Sequence, residues 1–185
     1  KVEIITNPRK SGLGNAYIKG MKYAIKNNAY AVITMDADHS HNPDYLAVIA
    51  DALKENDIVV CTRYLKDGGS QNWKLSRKLL SRFGNLYTGL ILGNQISDYT
   101  GGFNGYNVRL LKELDLDSIK SKGYSFQIEL KYRLSRRTQK IAHIPIIFGE
   151  RMSGVSKIDK KIIFEGLIMP IMLRIRSKSC VIRSK

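Results

Sequence analysis

Short apolar runs rich in β-branched residues alternate, along the first third of the chain, with segments whose apolar residues recur every three or four positions. The first pattern is typical of strands, and the second of helices that bury one face. Together they predict strands over residues 2–6, 30–35 and 57–61, with helices over residues 12–28 and 43–54 between them. This order is typical of a right-handed α/β layer structure with a parallel sheet.

The middle of the chain contains longer elements. We predict a glycine-containing loop over residues 63–73, helices over residues 74–92 and 125–137, and a strand over residues 141–148. The helix over residues 74–92 separates into an apolar stripe (Leu75, Leu79, Phe83, Leu86 and Leu90) and a polar stripe (Lys74, Arg77, Lys78, Ser81 and Asn85).

The end of the chain is basic. Residues 151–185 contain nine Lys or Arg and two acidic residues, a net charge of +7, around the apolar segment 162–173. This pattern predicts an interfacial amphipathic helix rather than a linker. We therefore expect a main domain over residues 1–158 and a basic amphipathic helix or tail over residues 159–185.

Composition narrows the classes of function. The chain has 185 residues, 43% of them hydrophobic, which suits one globular domain. Its 31 Lys plus Arg against 16 Asp plus Glu give a net charge of +15, which attracts phosphate, anionic lipid or nucleic acid. Cys61 and Cys180 lack the spacing of a zinc site or a disulfide framework, which favours a reducing cytosol. No apolar run reaches the ~18 residues that a membrane span needs.

The strongest local motif is Asp36-Ala37-Asp38, directly after a strand that is predicted to be buried. The carboxyl ends of strands line the ligand crevice of open α/β sheets. Two carboxylates one residue apart can hold Mg²⁺ or Mn²⁺ that shares oxygens with a substrate diphosphate. The alternative, a helix cap, is already supplied by Asn42. We interpret His39 and His41 as exposed turn residues rather than ligands.

Several cations could meet phosphate groups. Arg63 follows its strand as Asp36 follows its own, so both are expected in one crevice. Arg77 and Ser81 lie four residues apart and could share a phosphate, although a solvated helix face gives the same spacing. Arg151 and Lys157 fall in the polar loop over residues 149–157, which could close as a lid or be a solvated charged loop.

These motifs occur in an order that resembles the dolichol-phosphate mannose synthases, the polyprenol-phosphate branch of the family 2 glycosyltransferases. The resemblance covers nearly the whole chain. The matching segments are Gly12-Leu13-Gly14-Asn15-Ala16, Met35-Asp36-Ala37-Asp38 with Ser40-His41-Asn42-Pro43, Thr62-Arg63-Tyr64 with Gly68-Gly69 and Trp73, Ser76-Arg77-Lys78 with Ser81-Arg82, Ser97-Asp98-Tyr99-Thr100-Gly101-Gly102-Phe103, Gly123-Tyr124-Ser125-Phe126-Gln127-Ile128-Glu129, and Pro145 through Arg151 to Ser156-Lys157.

The resemblance implies a GT-A, Rossmann-like three-layer fold with a mostly parallel sheet. It also implies inverting transfer of mannose from GDP-mannose to dolichyl or polyprenyl phosphate with Mg²⁺ or Mn²⁺. The implied roles are metal ligands (Asp36, Asp38 and Ser40), donor binding (Asp36, Ala37, Asp38, Arg63, Arg151 and Lys157), acceptor phosphate binding (Arg63, Arg77 and Ser81) and catalysis (Asp38, Arg63 and Asp98). Gln127 and Glu129 also match family motifs.

The same resemblance implies a peripheral protein on the cytosolic face of a membrane. That membrane is the endoplasmic reticulum in a eukaryote and the plasma membrane in a prokaryote, and small membrane-anchoring subunits are possible partners. Family members begin with a Pro-Thr-Tyr-Asn-Glu-like segment and a second acidic motif that hold the nucleotide base and ribose. Neither occurs here, so we expect the chain to be N-terminally incomplete.

Three alternatives remain open on the sequence alone. The first is a dolichyl-phosphate glucosyltransferase that uses UDP-glucose, or another family 2 glycosyltransferase. The second is a basic nucleic-acid- or membrane-binding module, which disagrees with the acidic pair at a strand end and with the lack of a nucleic-acid-binding motif. The third is an inactive fragment. We favour the mannosyltransferase and expect no nucleic acid partner.

Overall fold

The computed structural model describes residues 2–6, 12–119, 121, 123–149 and 160–182. Its helices are α1 (Leu13–Lys26), α2 (Tyr45–Ala52), α3 (Leu75–Leu92), α4 (Val108–Lys112), α5 (Gly123–Ser135) and α6 (Lys160–Ile182), with one 3-10 turn at Leu116–Ser118. Its strands are β1 (Ala31–Thr34), β2 (Ile58–Thr62), β3 (Gly69–Ser70), β4 (Asn104–Asn107), β5 (Ile141–Pro145) and β6 (Ile147–Phe148).

The main sheet has the strand order β1-β4-β2-β5. Strand β2 pairs with β5 in parallel, whereas β4 lies antiparallel between β1 and β2. Three of the four strands therefore run in one direction, and the single reversed strand makes the sheet mixed. A second, two-stranded parallel sheet joins β3 to β6. The predicted α/β class with a mostly parallel sheet is confirmed, with β4 as its antiparallel member.

The central strand β2 is buried on both faces and separates two apolar clusters. Ile58 and Val60 face the larger cluster, which includes Phe126 and other residues of α5, whereas Val59 packs with Ile49 of α2. Because successive side chains of a strand point to opposite faces, an unbroken apolar run requires cover on both sides. This arrangement produces the three-layer architecture.

Several predicted elements differ in the structure. The prediction of a strand over residues 2–6 is wrong. This segment pairs with no described strand, and Val2 and Ile4 are 91% and 85% exposed. β-branched residues favour an extended chain, but a strand forms only where a partner strand supplies hydrogen bonds. The strand over residues 141–148 divides at Ile146, whose N–H donates to the Thr62 carbonyl (2.9 Å), so that β5 joins the main sheet and β6 the small one.

Helix α3 turns its apolar stripe outward. Leu75, Leu79, Phe83, Leu86 and Leu90 are 59 to 73% exposed. On the polar side, Thr88 is buried and Arg77, Ser81 and Asn85 are half-buried, whereas Lys74 and Lys78 remain exposed. The ordinary rule for an amphipathic helix is therefore reversed in α3.

Helix α6 lies where the sequence predicts a basic amphipathic helix, and it packs against α3 and α5. The Tyr87 hydroxyl of α3 donates to the Leu167 carbonyl (2.8 Å), and the Tyr132 hydroxyl of α5 donates to Ser177 (2.9 Å). Leu173 is buried, whereas six apolar side chains of α6 remain exposed: Phe164, Leu167, Ile168, Ile171, Met172 and Ile175. Across the described ranges, no helix is both long enough and apolar enough to cross a membrane.

Candidate active site

The Asp36-Ala37-Asp38 motif leaves the sheet at the carboxyl end of β1, as predicted. The Tyr17 hydroxyl donates to Asp36 Oδ1 (3.2 Å), and burial together with the Asp36 charge raises the pKa of that phenol. Asp38 Oδ1 accepts hydrogen bonds from the Ser40 backbone N–H (3.1 Å) and the Ser40 hydroxyl (2.5 Å). The two carboxylates are therefore held in place by different neighbours.

His41 is a structural support of this motif, and its interpretation as an exposed turn residue is wrong. The imidazole is buried between Phe103 and Phe148, with ring centroids 4.8 and 5.1 Å away. Its Nδ1 accepts the backbone N–H of Asp36 (3.0 Å). The local sequence does not indicate that His41 packs between two aromatic rings or that its Nδ1 binds a backbone N–H. His39, in contrast, is exposed in the left-handed region at φ 63°.

Asp98 and Arg63 form a buried ion pair at the carboxyl end of β2. Arg63 Nε donates to Asp98 Oδ2 (2.8 Å), Nη2 donates to Oδ1 (2.9 Å), and Nη2 also reaches the Thr100 hydroxyl (2.8 Å). Asp98 further accepts the backbone N–H groups of Thr100 (3.1 Å) and Gly101 (2.9 Å). Burial alone would raise the pKa of Asp98, but the Arg63 charge and these hydrogen bonds hold it at about 2.

A small pocket of about 230 Å³ opens beside this pair and brings Arg63 together with Ser81, as the sequence predicts. The Ser81 hydroxyl lies 2.7 Å from the Tyr64 hydroxyl. Arg77 does not line the pocket, but its guanidinium lies 3.8 Å from the centre of the Trp73 ring, which does. The structure thus brings Arg63 and Ser81 together and places Arg77 behind Trp73. The pocket is lined by Arg63, Tyr64, Gly68, Gly69, Ser70, Trp73, Lys78, Ser81 and Arg82.

Four residues that shape this pocket occur in the matching segments but were assigned no role from the sequence: Tyr64, Trp73, Lys78 and Arg82. Lys78 and Arg82 lie four residues apart on α3, next to the predicted pair Arg77 and Ser81, so their shared spacing was the available signal. Both are exposed and give the pocket a positive rim. The pocket is therefore suited to an anion.

The turn at Gly101-Gly102 joins the ion pair to the acidic motif. A Cβ at Gly101 would lie 3.2 Å from Asp98 Oδ2, and one at Gly102 would lie 3.5 Å from Asp36 Oδ1. The backbone therefore passes closely between the two carboxylates. On the far side of Asp36, an open cleft of about 730 Å³ is lined by Ala37, Asp38 and residues of α1 and β1. The acidic cleft at the end of β1 and the cationic pocket at the end of β2 therefore lie on either side of the turn that leads into β4. Asp36 and Arg63, expected in one crevice, line these two separate cavities.

The acidic cleft matches one type of metal site. Among the residues that the structure describes, no three His, Cys, Asp or Glu side chains come together as a closed metal site. Two carboxylates alone suit an Mg²⁺ or Mn²⁺ ion that completes its shell with water and substrate phosphate. The predicted third ligand, Ser40, donates its hydroxyl to Asp38. The predicted lid residues Arg151 and Lys157 lie outside the described residues.

The two further residues that match family motifs, Glu129 and Gln127, are buried away from both cavities. Glu129 is buried, accepts from the Ser121 backbone N–H (3.2 Å) and its hydroxyl, and pairs with Arg133. Gln127 is also buried, and its Oε1 lies 3.5 Å from Asn104 Nδ2. Both residues lie on α5 beneath the sheet.

The layers, the acidic motif at the end of β1 and the mixed sheet define a GT-A fold, and solved structures agree. Glucosyl-3-phosphoglycerate synthase from Mycobacterium tuberculosis, in complex with UDP, superposes with a TM-score of 0.60 at 16% identity, over 92% of this chain and 57% of that one. The same synthase with Mn²⁺, UDP-glucose and glycerol 3-phosphate gives a TM-score of 0.57 at 17% identity, over 92% and 56% of the two chains.

The glycosyl transferase family 2 profile matches residues 1–115. The chain is 36% identical over 167 residues to the undecaprenyl-phosphate mannosyltransferase of Micrococcus luteus, covering 90% of this chain and 69% of the relative. It is 35% identical over 168 residues to the polyprenol monophosphomannose synthase of Mycolicibacterium smegmatis, covering 90% and 63%. The chain therefore belongs to glycosyltransferase family 2 and is a glycosyltransferase.

Proposed function

We propose that the protein transfers mannose from GDP-mannose to a polyprenyl phosphate, which would be dolichyl phosphate in a eukaryote, with inversion at the sugar carbon. One observation carries this proposal: helix α3 contributes Ser81, Lys78 and Arg82 to the cationic pocket and also presents an exposed apolar stripe to the surroundings. A phosphate on a long apolar chain needs both features. The two mannosyltransferase relatives, one of them named for undecaprenyl phosphate, support the lipid and the sugar.

The acceptor phosphate is assigned to the cationic pocket. Arg63 lines it, with its guanidinium already oriented by Asp98 and Thr100. The Ser81 hydroxyl, oriented by Tyr64, adds a donor, and Arg77 is held near by Trp73. Fixed donors of this kind stabilise phosphate charge better than mobile ones, since little reorganisation accompanies binding.

The donor diphosphate is assigned to the acidic cleft. Asp36 and Asp38 would hold Mg²⁺ or Mn²⁺, with Ser40 as the proposed third ligand and Ala37 beside the donor. The bound ion would supply positive charge to the departing diphosphate. Arg151 and Lys157 are proposed to close over the same diphosphate, and Asp98 acts through Arg63.

The reaction needs no general base. The second pKa of a phosphate monoester is about 6, so the acceptor is already a dianion at neutral pH. One of its oxygens attacks the anomeric carbon from the side opposite the diphosphate. The new carbon–oxygen bond forms as the bond to the diphosphate breaks, and GDP leaves with the electron pair. The protein's task is therefore to hold two anions close together, which suits a positively charged pocket next to an acidic cleft.

The exposed stripe of α3 is proposed to rest on the membrane that contains the acceptor. Lys78 and Arg82 flank the stripe and would meet anionic headgroups, where each cation contributes roughly 1 kcal/mol. The exposed apolar residues of α6, with Arg174 and Arg176 beside them, extend this peripheral contact. We propose that the protein lies on the cytosolic face of the endoplasmic reticulum in a eukaryote, or of the plasma membrane in a prokaryote, with small anchoring subunits as partners.

Vesicle binding tests the surface separately from the chemistry. The double variant Leu79→Asp/Phe83→Asp should sediment with anionic vesicles at least about tenfold more weakly than the wild type, because two apolar side chains that enter the interface become charged. Val48→Asp, at an exposed position of α2, is the matched control. Equal binding of all three proteins would contradict the assignment of α3.

Transfer of labelled sugar tests the reaction. Purified protein is incubated with polyprenyl phosphate and either GDP-mannose or UDP-glucose, with Mn²⁺ or with EDTA. The proposal predicts a metal-dependent mannolipid from GDP-mannose. A glucolipid from UDP-glucose alone would instead favour the dolichyl-phosphate glucosyltransferase.

A further inference from the structure

Lys131 of α5 is a fully buried cation that lies beneath the candidate active site. Its Nζ donates to the backbone carbonyls of Asp98 (2.6 Å) and Gly101 (2.8 Å) and lies 3.4 Å from Asn104 Oδ1. A buried ammonium group is costly unless acceptors surround it. All three acceptors belong to the segment that forms the edge of the site.

The two carbonyls that Lys131 binds are the ends of one tight turn. The carboxylate of the same turn holds Arg63 through two hydrogen bonds, and Arg63 lines the cationic pocket. Lys131 therefore fixes the backbone from which Asp98 orients Arg63. The contact chain runs from Lys131 through the turn to Asp98 and then to Arg63, without Lys131 itself reaching the pocket.

We propose that Lys131 is a positioning residue for the acceptor phosphate: its ammonium group clamps the Asp98–Gly101 turn and adds a buried positive charge behind Arg63, so that deprotonation of Lys131 weakens acceptor binding. This inference rests on the proposed function, because it takes the acceptor to be a phosphate held by Arg63. It adds that acceptor binding depends on pH through Lys131.

Deprotonation of Lys131 would weaken its hold on the turn and also remove the positive charge behind Arg63. The charged and titratable groups that face it are Asp98, Arg63 and Cys61. Burial lowers the pKa of Lys131 to about 7, with Arg63 acting in the same direction and Asp98 opposing it. Burial also raises the pKa of the Cys61 thiol to about 12, so that thiol stays neutral near pH 7.

The protonated ammonium has a donor for each of its three acceptors, whereas the neutral amine has only two N–H bonds. With Lys131 charged, the group of Lys131, Asp98 and Arg63 carries a net charge of +1, and with Lys131 neutral it carries none. Phosphate binding is therefore expected to weaken as the pH rises through about 7.

The experiment measures kcat/KM for polyprenyl phosphate from about pH 6 to pH 9 at saturating GDP-mannose. Wild-type kcat/KM should rise as the acceptor phosphate ionises near its second pKa of about 6. It should then fall about tenfold on the alkaline side, mainly through KM for the acceptor, because a charge-assisted hydrogen bond is lost. The KM for GDP-mannose should stay unchanged.

Three variants separate this effect from a general loss of structure. Lys131→Met should lower kcat/KM near neutral pH by about tenfold and remove the alkaline limb. Asn104→Asp keeps the lysine and places a carboxylate beside it, which should move the alkaline limb upward by about one pH unit. Lys112→Met, at an exposed position of α4, should leave the profile unchanged.

Each outcome decides a separate question. No sugar transfer by the wild type would refute the proposed function. Transfer with an alkaline limb that persists in Lys131→Met, or that stays in place in Asn104→Asp, would refute the role of Lys131 and leave the proposed function standing. Asn104→Asp keeps the test decisive if Lys131→Met does not fold.

Discussion

Replacing Asp98 by Asn tests whether the buried ion pair organises the site. Asp98 is completely buried and neutralises Arg63, whose side chain is only 9% exposed. The amide of Asn can still accept from the turn, but it carries no negative charge. The variant therefore leaves the Arg63 guanidinium, and the Lys131 ammonium behind the turn, without their carboxylate.

The magnitude follows from the pKa of Asp98. Its ordinary value is 3.8 and its value in the folded protein is about 2. A difference of nearly two pH units corresponds to about 2 kcal/mol of stability. Because the pKa is lowered on folding, this stability is present above the ordinary value and is lost as the pH falls through about 2. Removing one partner of a buried pair typically costs somewhat more, about 3–5 kcal/mol.

Urea unfolding near pH 7 and near pH 2.5 provides the assay. Asp98→Asn should lower the free energy of unfolding by about 3 kcal/mol near pH 7 and by clearly less near pH 2.5, because below the ordinary pKa of 3.8 the unfolded wild type takes up the proton that the folded state still excludes. Asp51→Asn is the matched control, since Asp51 forms an exposed pair with Lys54. It should leave the free energy of unfolding nearly unchanged, because solvent screens an exposed ion pair. A variant as stable as the wild type near pH 7 would refute this reasoning.

Four further outcomes are expected. Asp38→Ala should reduce sugar transfer by about a hundredfold or more without unfolding the protein, which parallel transfer and circular dichroism measurements check. EDTA should abolish transfer and added Mn²⁺ or Mg²⁺ should restore it; full activity in EDTA would argue against a metal at Asp36 and Asp38. His41→Ala should cost about 1–3 kcal/mol in urea unfolding, because the Asp36 amide loses its acceptor. Tyr64→Phe should raise the KM for polyprenyl phosphate but not for GDP-mannose, because Ser81 loses its hydroxyl partner.

The sequence predicts the layer structure well where periodicity and burial agree. Helix α1 and strands β1 and β2 lie within or close to their predicted ranges because each has a clear apolar pattern. Strand β4, with the sequence Asn-Gly-Tyr-Asn, has no such pattern. It becomes a strand because β1 and β2 supply hydrogen bonds on both sides, and pairing of that kind is set by tertiary structure.

The site shows the same division. The acidic motif and Arg63 were predictable because strand ends of an α/β sheet line the crevice. The contacts of Lys131 were not, since it binds backbone carbonyls of a turn about 30 residues earlier in the chain. Those of His41 were not either, because they depend on how the loop after β1 folds back onto Asp36. Periodicity also identified two faces on α3 but could not say which one is buried. The structure assigns the polar face to the site.

The most direct test of the two-site account is a comparison of Michaelis constants for Ser81→Ala and Asp36→Asn in the sugar transfer assay. We predict that Ser81→Ala raises the KM for polyprenyl phosphate several-fold while the KM for GDP-mannose stays unchanged, and that Asp36→Asn impairs use of GDP-mannose instead. The reverse pattern, or equal effects of both variants on both substrates, would contradict the assignment of the acceptor to the cationic pocket and the donor to the acidic cleft.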